Sequence, residues 1–341
     1  MNFEEIKAVR ELLSSPQKIV IVPHKNPDGD AIGSSLALCF YLNGKGHSAA
    51  VVVPNDYPKF LKWLPGNDEV LNFEKQNSQA KEKLEEANLI FTLDFNHLGR
   101  SGQMTPLLEG SKAIFVMIDH HQEPGDYAQI TYSDVTMSST CEMVYNLIEY
   151  LGDRDAITPE MANCIYTGIM TDTGSFKYSS TTSRTHRITA DLIDKGADNT
   201  SIHNLVFDTN TPSRLHLLGC ALKNMVILED YQTVYITLSQ EELNLYGYQK
   251  GDTEGFVNYG LTLDGICFAV IFIENKEEGI IKISLRSEGD FSVNEFARKH
   301  FNGGGHMNAA GGKSDVSMEQ TVSNFLRSLE EYKTELTQLV R

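Results

Sequence analysis

Short apolar runs alternate with amphipathic stretches along the N-terminal part of the chain. Residues 18–22 are dominated by β-branched aliphatic side chains, which is typical of a strand buried on both faces. The same pattern predicts strands over residues 49–53, 88–93 and 113–118, and helices over residues 2–14, 36–42, 75–87, 141–150, 159–170 and 184–195. Strands that alternate with helices form βαβ units, so we predict an α/β fold with a doubly wound, mainly parallel sheet.

A second folding unit is predicted after residues 198–212, which have little periodicity and lead into a helix over residues 214–227. Its elements are strands over residues 232–238, 266–273 and 280–286 and helices over residues 292–300 and 317–340, with a glycine-rich loop over residues 301–312. We therefore expect an N-terminal domain over residues 1–197, a linker with a helix over residues 198–228, and a smaller α/β domain with a mixed sheet over residues 229–341. An active-site cleft is expected between the two domains.

Composition narrows the classes of partner. The net charge is −17, and the Lys and Arg residues are dispersed instead of forming the basic stripe by which proteins hold long nucleic acids. No apolar run approaches 18 residues, and the N-terminus lacks the basic start and apolar core of a signal peptide, so neither a membrane span nor a secretory leader is predicted. The five cysteines are scattered and form no CxxC pair, which favours reduced thiols and a cytoplasmic location.

Metal-competent side chains follow several predicted strands. His24, Asp28 and Asp30 come directly after the first strand, on a loop expected to precede the helix; Asp94 ends the strand over residues 88–93. Asp119, His120 and His121 end the next strand, and Asp172 follows a predicted helix. Asp-Gly is also a common turn dipeptide, and Asp94 alone could equally be a helix cap. Because ligands of such sheets bind outside the carboxyl ends of the strands, the repetition favours one shared site.

The glycine-rich stretch is the second candidate for chemistry. Consecutive glycines at residues 303–305 can expose backbone N–H groups to a phosphate, and His306 adds a side-chain donor. Arg286, at the end of a predicted strand, could bind a phosphate through two hydrogen bonds. The alternative is a flexible loop without a ligand.

Together these residues resemble the motifs of the DHH phosphoesterase superfamily. The resemblance covers His24-x-Asn-Pro-Asp28-Gly-Asp30, Asp94, Asp119-His120-His121 and Asp172, and then Gly303-Gly-Gly-His306-x-x-Ala-Ala-Gly311, which resembles the DHH-associated domain. Within the superfamily, the size is similar to that of the stand-alone bifunctional oligoribonucleases (nanoRNases) and pAp phosphatases.

The resemblance implies two divalent cations, Mn²⁺ first, with Mg²⁺ or Co²⁺ as alternatives. One cation would be held by His24, Asp28 and Asp94, and the other by Asp30, Asp94, His120 and Asp172, so that Asp94 bridges the pair. The implied catalytic residues are His121, which would face the scissile phosphate, Asp94, and Asp119, which would orient a histidine. The implied substrate-binding residues are Arg286, Ser287, Gly303, Gly304, Gly305, His306 and Arg100, although Arg100 could equally be an ordinary surface arginine.

The implied activity is that of a metal-dependent phosphohydrolase. It would degrade very short oligonucleotides to 5′-mononucleotides and remove the 3′-phosphate of pAp, by attack of a water activated by two metal ions. Alternatives are a phosphodiesterase acting on cyclic di-AMP or linear pApA, and an exopolyphosphatase. A nucleotide sensor with an inactive metal site is disfavoured because no ligand of the motif set is missing. The resemblance also suggests a homodimer.

Overall fold

The structure is a computed structural model that describes residues 3–338 of the chain. It divides into two compact units, which meet in sequence at Thr209 and Asn210. The predicted domain boundaries at residues 197 and 229 stay a prediction. All five cysteines lie in the described part of the chain, and none of them there is in a disulfide.

The first unit alternates strands and helices. Its strands are β1 (Lys18–Pro23), β2 (Ser48–Val53), β3 (Leu71–Asn72), β4 (Leu89–Leu93), β5 (Ile114–Asp119) and β6 (Ile130–Ser133). Its helices are α1 (Phe3–Leu12), α2 (Gly29–Gly44), α3 (Asn77–Glu86), α4 (Thr105–Glu109), α5 (Thr140–Tyr150), α6 (Pro159–Asp172), α7 (Ser183–Asp194) and α8 (Asn199–Phe207). Short 3-10 helices cover Lys59–Leu61, Asn67–Glu69, Leu98–Met104 and Arg154–Ala156.

The six strands form one parallel sheet in the order β3-β2-β1-β4-β5-β6. Strand β1 is central, and its Ile21 pairs with Val51 on one side and Phe91 on the other. Successive side chains of a strand point to opposite faces, so Ile19 and Ile21 enter the core on one face while Val20 and Val22 enter the core on the other. The predicted doubly wound sheet is therefore confirmed.

The second unit is smaller and has a mixed sheet. Its strands are β7 (Val226–Leu228), β8 (Thr233–Leu238), β9 (Phe268–Asn275), β10 (Ile280–Ser287), β11 (Gly304–Gly305) and β12 (Ala309–Ser314). Its helices are α9 (Pro212–Lys223), α10 (Gln240–Leu245), α11 (Val293–Phe301), α12 (Met318–Leu329) and α13 (Lys333–Gln338), with 3-10 helices at Glu229–Tyr231, Phe256–Thr262 and Glu330–Tyr332.

The strand order of the second sheet is β11-β12-β10-β9-β8-β7, and β8 and β9 are the parallel pair among antiparallel neighbours. On β9, Phe268 and Phe272 face a core rich in phenylalanine, whereas Ala269 and Ile271 face the opposite core. This arrangement confirms the predicted mixed sheet.

Three local expectations are wrong. Residues 199–207 form helix α8 at the place where little periodicity led us to expect the start of a linker, and the expected glycine-rich loop contains strands β11 and β12. The expected final helix is also interrupted, by the 3-10 helix Glu330–Tyr332. Residues 339 and 340 of that expected helix, and residue 2 of the expected first helix, lie outside the described residues. Strands β3, β6 and β7 were missed because runs of two to four residues are too short to show a period.

Gly33 lets α2 approach α6 closely. A Cβ atom at Gly33 would lie 2.5 Å from the carbonyl oxygen of Cys164, which is backbone and cannot rotate away. Gly44, at the other end of α2, has open space where its Cβ would be. Only the first of these glycines is required by packing.

We therefore expect Gly33→Ala to destabilise the first unit by about 1–3 kcal/mol, the usual cost of overpacking. The matched control Gly44→Ala should be neutral or gain up to about 1 kcal/mol, because alanine is the better helix former. Thermal unfolding followed by the fluorescence of Trp63, the single tryptophan and a residue of this unit, measures both. Equal unfolding midpoints for the two variants would contradict the packing argument.

Candidate metal centre

The carboxyl edge of the first sheet gathers the predicted metal-competent side chains. His24 follows β1 directly, Asp94 follows β4, and Asp119 is the last residue of β5, with His120 and His121 after it. Asp172 is the last residue of α6, whose length brings it back to the same edge.

The sequence placed Asp28 and Asp30 on a loop, and this expectation is wrong because α2 begins at Gly29. Asp28 is the N-cap residue, and its Oδ1 accepts hydrogen bonds from the backbone N–H groups of Asp30 and Ala31 at 3.1 and 3.0 Å. This cap stabilises the first turn of α2 and leaves Oδ2 to face His24. Asp30 lies in that first turn and is buried.

Two groups of ligand atoms meet at Asp94. In the first group, Nε2 of His24 lies 3.4 Å from Oδ2 of Asp94 and 3.8 Å from Oδ2 of Asp28. In the second group, Nε2 of His120 lies 3.5 Å from Oδ1 of Asp94. The same nitrogen lies 3.7 Å from Asp30 Oδ2 and 3.5 Å from Asp172 Oδ2. Asp94 thus presents one carboxylate oxygen to each group.

Backbone geometry explains how Asp94 reaches both groups. Its φ of 66° is in the left-handed region, which non-glycine residues rarely adopt, although aspartate tolerates it better than most. The backbone N–H of Asp94 still donates to the carbonyl of Ile118, at 3.0 Å. The left-handed turn therefore ends β4 while keeping the chain bound to β5, and the buried carboxylate lies among the histidines.

His121 is held differently from the other two histidines. Its Nδ1 lies 2.7 Å from Oδ1 of Asp119, a hydrogen-bond distance, and Asp119 is fully buried. A buried carboxylate that accepts from Nδ1 fixes the orientation and tautomer of the ring.

Burial and the neighbouring charges move the pKa values of several side chains in this cluster away from their ordinary values. Burial, together with the carboxylates of Asp94 and Asp172, raises the pKa of Asp30 well above its ordinary value. Burial alone would raise the pKa of Asp94 as well, but His120 and His24 hold it well below the ordinary range. Burial alone would lower the pKa of His24, but the carboxylates of Asp28 and Asp94 raise it to about 10.

The donor set fits divalent cations. Nδ1 of His24 lies 2.8 Å from the carbonyl of Lys25, and Nδ1 of His120 lies 3.2 Å from the carbonyl of Met137, so each ring turns Nε2 toward the carboxylates. In the neutral imidazole that donates through Nδ1, Nε2 presents a lone pair that a cation shared with the carboxylates would accept. Without a cation, a proton on Nε2 of His24 satisfies the same contact, as its raised pKa indicates. The separations of 3.4–3.8 Å are near the roughly 3–3.5 Å between ligands that share one ion.

Among residues 3–338, no cysteine belongs to a candidate group of metal ligands. Cys141 lies beside Asp30, but burial raises the pKa of its thiol well above the ordinary value, and the carboxylate of Asp30 adds to the effect. Carboxylate and imidazole ligands without thiolate suit Mg²⁺ or Mn²⁺.

The start of α5 was missed as part of this centre. The backbone N–H groups of Thr140 and Cys141 donate to Asp30, and the Thr140 hydroxyl lies 3.1 Å from Oδ1 of Asp94. The sequence signal was the S-x-x-E pattern of Ser139 and Glu142, which indicates a helix start but not what that helix contacts.

Arg100, predicted as a substrate contact, lies in the 3-10 helix Leu98–Met104 and is half-buried. Its carbonyl accepts from the N–H of Lys25 at 2.7 Å, which ties this helix to the segment next to His24. His97 caps the same 3-10 helix by accepting from the N–H of Gly99, as expected for a helix-start residue. The role of the Arg100 side chain stays a prediction.

The remaining predicted residues belong to the second unit. Arg286 and Ser287 are the last two residues of β10; Nη1 of Arg286 donates to the carbonyl of Leu285, and the Ser287 hydroxyl donates to the carbonyl of Phe291. His306 donates its backbone N–H to Ala309. Their binding roles stay predictions.

The glycine run has a structural role that the sequence analysis underestimated. A Cβ atom at Gly303 would lie 1.9 Å from the carbonyl oxygen of Gly311, so glycine is required for this close approach of the chain to β12. The N–H groups of Gly303 and Gly305 donate to Ala297 and Asn294 inside the unit. The expectation that the run exposes its N–H groups is therefore wrong at these two positions, and Gly304 lies between them in β11.

Comparison with known proteins agrees with this geometry. The DHH family, N-terminal domain model matches residues 18–169, and the DHHA1 domain model matches residues 239–335. Over 337 residues the chain is 32% identical to the bifunctional oligoribonuclease and PAP phosphatase NrnA of Thermus thermophilus, covering 98% of this chain and 95% of that protein. The chain belongs to the DHH family.

Two further similarities extend over most of this DHH protein. The bifunctional oligoribonuclease and PAP phosphatase NrnA of Bacillus subtilis is 28% identical, over 86% of this chain and 88% of that protein. The crystal structure of an exopolyphosphatase-related protein from Bacteroides fragilis has a TM-score of 0.95 at 42% identity, covering 99% of this chain and 98% of that one. These findings confirm the family resemblance and the fold predicted from the sequence. Within residues 3–338, no helix is both long and apolar enough to span a bilayer.

We expect divalent cations to stabilise this unit and Asp94→Asn to abolish that effect, because the neutral amide offers one oxygen where two are needed. At a cation concentration about 100 times the Kd, a ligand of the folded state adds about 2.7 kcal/mol. Thermal unfolding of chelator-treated protein with and without MnCl₂ measures the gain. Asp134→Asn is the control, since Asp134 accepts from Thr136 in an exposed turn. An unchanged gain in Asp94→Asn would contradict the assignment.

Proposed function

We propose that the protein is a divalent-metal-dependent phosphohydrolase that degrades very short oligonucleotides to 5′-mononucleotides and removes the 3′-phosphate of pAp. The observation that carries this proposal is the position of Asp94, whose two carboxylate oxygens face His24 at 3.4 Å and His120 at 3.5 Å. Such a carboxylate suits a bridge between two cations. The relatives named above for these two activities, which match this chain over most of its length, support the substrate class.

The proposed ligand sets are His24, Asp28 and Asp94 for one cation, and Asp30, His120 and Asp172 together with Asp94 for the other. We propose Mn²⁺ as the physiological ion. Bound divalent cations supply positive charge to phosphoryl oxygens and acidify water. The buried carboxylates keep both ligand groups close together, and the main-chain contacts of His24 and His120 keep their rings oriented toward them.

Proton transfer is assigned to His121. With Nδ1 engaged by Asp119, exchange of a proton with the substrate takes place through Nε2. Asp119 stabilises the protonated imidazole by its charge and prevents the ring from rotating. The pair thus supplies a proton donor for the leaving oxygen without taking a carboxylate away from the cation ligands.

We assign substrate selection to a small number of basic and polar residues. We assign Arg286, Ser287, Gly303, Gly304, Gly305 and His306 of the second unit, and Arg100 of the first, to substrate binding. The N–H groups of Gly303 and Gly305 are engaged within the unit, so the assignment of these two residues rests on the close approach that glycine allows a phosphate. A net charge of −17 with dispersed Lys and Arg residues disfavours a long polyanion and is compatible with a substrate of a few phosphates. Dimerisation and a cytoplasmic location stay predictions.

The direct test compares the rates of hydrolysis of a dinucleotide, pAp, pApA, cyclic di-AMP and polyphosphate with MnCl₂ supplied. We expect the dinucleotide and pAp to be hydrolysed and Asp94→Ala to lose turnover of both. Faster hydrolysis of cyclic di-AMP or polyphosphate would favour the corresponding alternative activity. Near-normal rates in Asp94→Ala would contradict the two-cation site.

A second prediction concerns Arg286. On pAp, Arg286→Ala should raise KM at least about tenfold while changing kcat less, because a charged hydrogen bond to a phosphate contributes roughly 1.5–3 kcal/mol. Lys282→Ala is the matched control, since Lys282 lies on the same face of β10 and forms an exposed ion pair with Glu278. Steady-state kinetics at saturating MnCl₂ measure both variants, and equal KM values would remove Arg286 from the substrate site.

A further inference from the structure

The first turn of α5 contacts the candidate metal centre from outside its ligand sets. The backbone N–H of Thr140 donates to Oδ2 of Asp30 at 2.6 Å, and the N–H of Cys141 donates to Oδ1 of Asp30 at 2.8 Å. The first N–H groups of a helix have no partner within the helix and carry partial positive charge, so a buried carboxylate is a favourable partner. Both oxygens of Asp30 are therefore anchored by backbone that no side-chain substitution removes.

Among residues 3–338, no backbone N–H group donates to the carboxylate of Asp94 as two do to Asp30. Oδ1 of Asp94 lies 3.1 Å from the hydroxyl of Thr140, and this hydroxyl is a neutral donor that is fully buried. The other polar atoms near Oδ1 are Nε2 of His120 at 3.5 Å and Nδ1 of His121 at 3.6 Å, both beyond ordinary hydrogen-bond length. Thr140 is thus the nearest of these side chains to Oδ1 of the carboxylate that the proposed function places between two cations, while Oδ2 faces Nε2 of His24 at 3.4 Å.

The local environment makes this contact specific. Ser139, the N-cap residue of α5, uses its hydroxyl to accept from the N–H of Glu142, and the carboxylate of Glu142 contacts Ser138 and Thr185. These neighbouring groups are buried and hydrogen-bond to one another. They hold the start of α5 in place, and Thr140 is the residue of this turn whose hydroxyl contacts the carboxylate of Asp94, whereas the thiol of Cys141 contacts the backbone carbonyl of Asp30.

We propose that Thr140 is a positioning residue that sets the orientation of the Asp94 carboxylate and thereby the affinity of the cation pair. The inference rests on the proposed function, because it needs Asp94 to be a ligand. Asp94 leaves β4 through a left-handed φ, so its side-chain direction is not set by the strand. The hydroxyl of Thr140 selects the rotamer in which one oxygen faces His24 and the other faces His120. Groups that orient a ligand in this way typically change metal affinity or activity about 10- to 100-fold when removed.

The test uses Mn²⁺ itself as the probe. Free Mn²⁺ is measured by electron paramagnetic resonance during titration of the full-length protein, and the Mn²⁺ concentration for half-maximal turnover of pAp is measured alongside. Thr140→Val keeps the branched shape but places a methyl group against Oδ1 of Asp94, and we expect its Mn²⁺ affinity to fall at least about tenfold. Thr140→Ser restores the hydroxyl, and we expect its affinity to stay within about threefold of the original protein.

Thr185→Val is the matched control. Thr185 is another fully buried threonine of the same unit, and its hydroxyl donates to Glu142 at 2.9 Å. We expect this variant to unfold at a lower temperature in the absence of cation but to bind Mn²⁺ with unchanged affinity. A purely structural role for Thr140 would give it the same behaviour as Thr185. If valine prevents folding, as judged by Trp63 fluorescence, Thr140→Ala removes the hydroxyl without added bulk and is compared with Thr140→Ser.

The outcomes separate the two proposals. If the original protein binds Mn²⁺ and hydrolyses pAp, while the hydroxyl-free variant binds Mn²⁺ within about threefold of it, the role of Thr140 is overturned and the proposed function stands. An equal loss in Thr140→Ser and the hydroxyl-free variant overturns it too, because the hydroxyl would not be the cause. If the original protein neither binds Mn²⁺ nor hydrolyses pAp, both proposals fall.

Discussion

Bringing several carboxylates together inside a protein requires compensating positive charge, and this requirement governs the first unit. Asp30 and Asp94 are buried almost completely, and Asp172 is half-buried beside them. Charges of like sign at such distances repel strongly in a medium less polar than water. Burial first, and then the neighbouring carboxylates, raise the pKa of Asp30, and the carboxylates of Asp28 and Asp94 raise the pKa of His24. In each case a bound proton reduces the negative charge of the cluster. A divalent cation at the same place would also reduce the negative charge, through coordination bonds to the carboxylates and imidazoles.

The fold meets this requirement with backbone as well as side chains. Helix α2 begins at the edge of the sheet, so its Asp28 cap and its first turn face the cluster. Helix α5 begins there too, and its first N–H groups bind Asp30. Two helix N-termini directed at one group of carboxylates supply partial positive charge that does not titrate. The carboxyl edge of a parallel sheet is where such helices start, which explains why the chemistry is found there.

In the second unit, the consecutive glycines serve backbone packing. Glycines that a sequence reader associates with anion binding are needed here because backbone approaches backbone, as the 1.9 Å conflict at Gly303 demonstrates. Asn294, which is buried, satisfies the N–H of Gly305. A glycine motif can therefore shape a strand edge, and a ligand role for it has to be tested separately from that packing role.

The sequence by itself determined the alternation of elements, the two folding units and the identity of the residues at the strand ends. These features follow from the period of apolar residues and from which residues are neighbours in the chain, and both can be observed in the sequence. Elements as short as β3, β6 and β7, and helix α8 within an aperiodic stretch, were not visible because their stability depends on neighbours. Only the tertiary structure decided that Asp28 caps a helix, that Asp94 adopts a left-handed turn, and that Thr140, 46 positions away in the sequence, reaches that aspartate. Contacts of this kind depend on which elements pack together, and the local pattern of apolar and polar residues does not encode that choice.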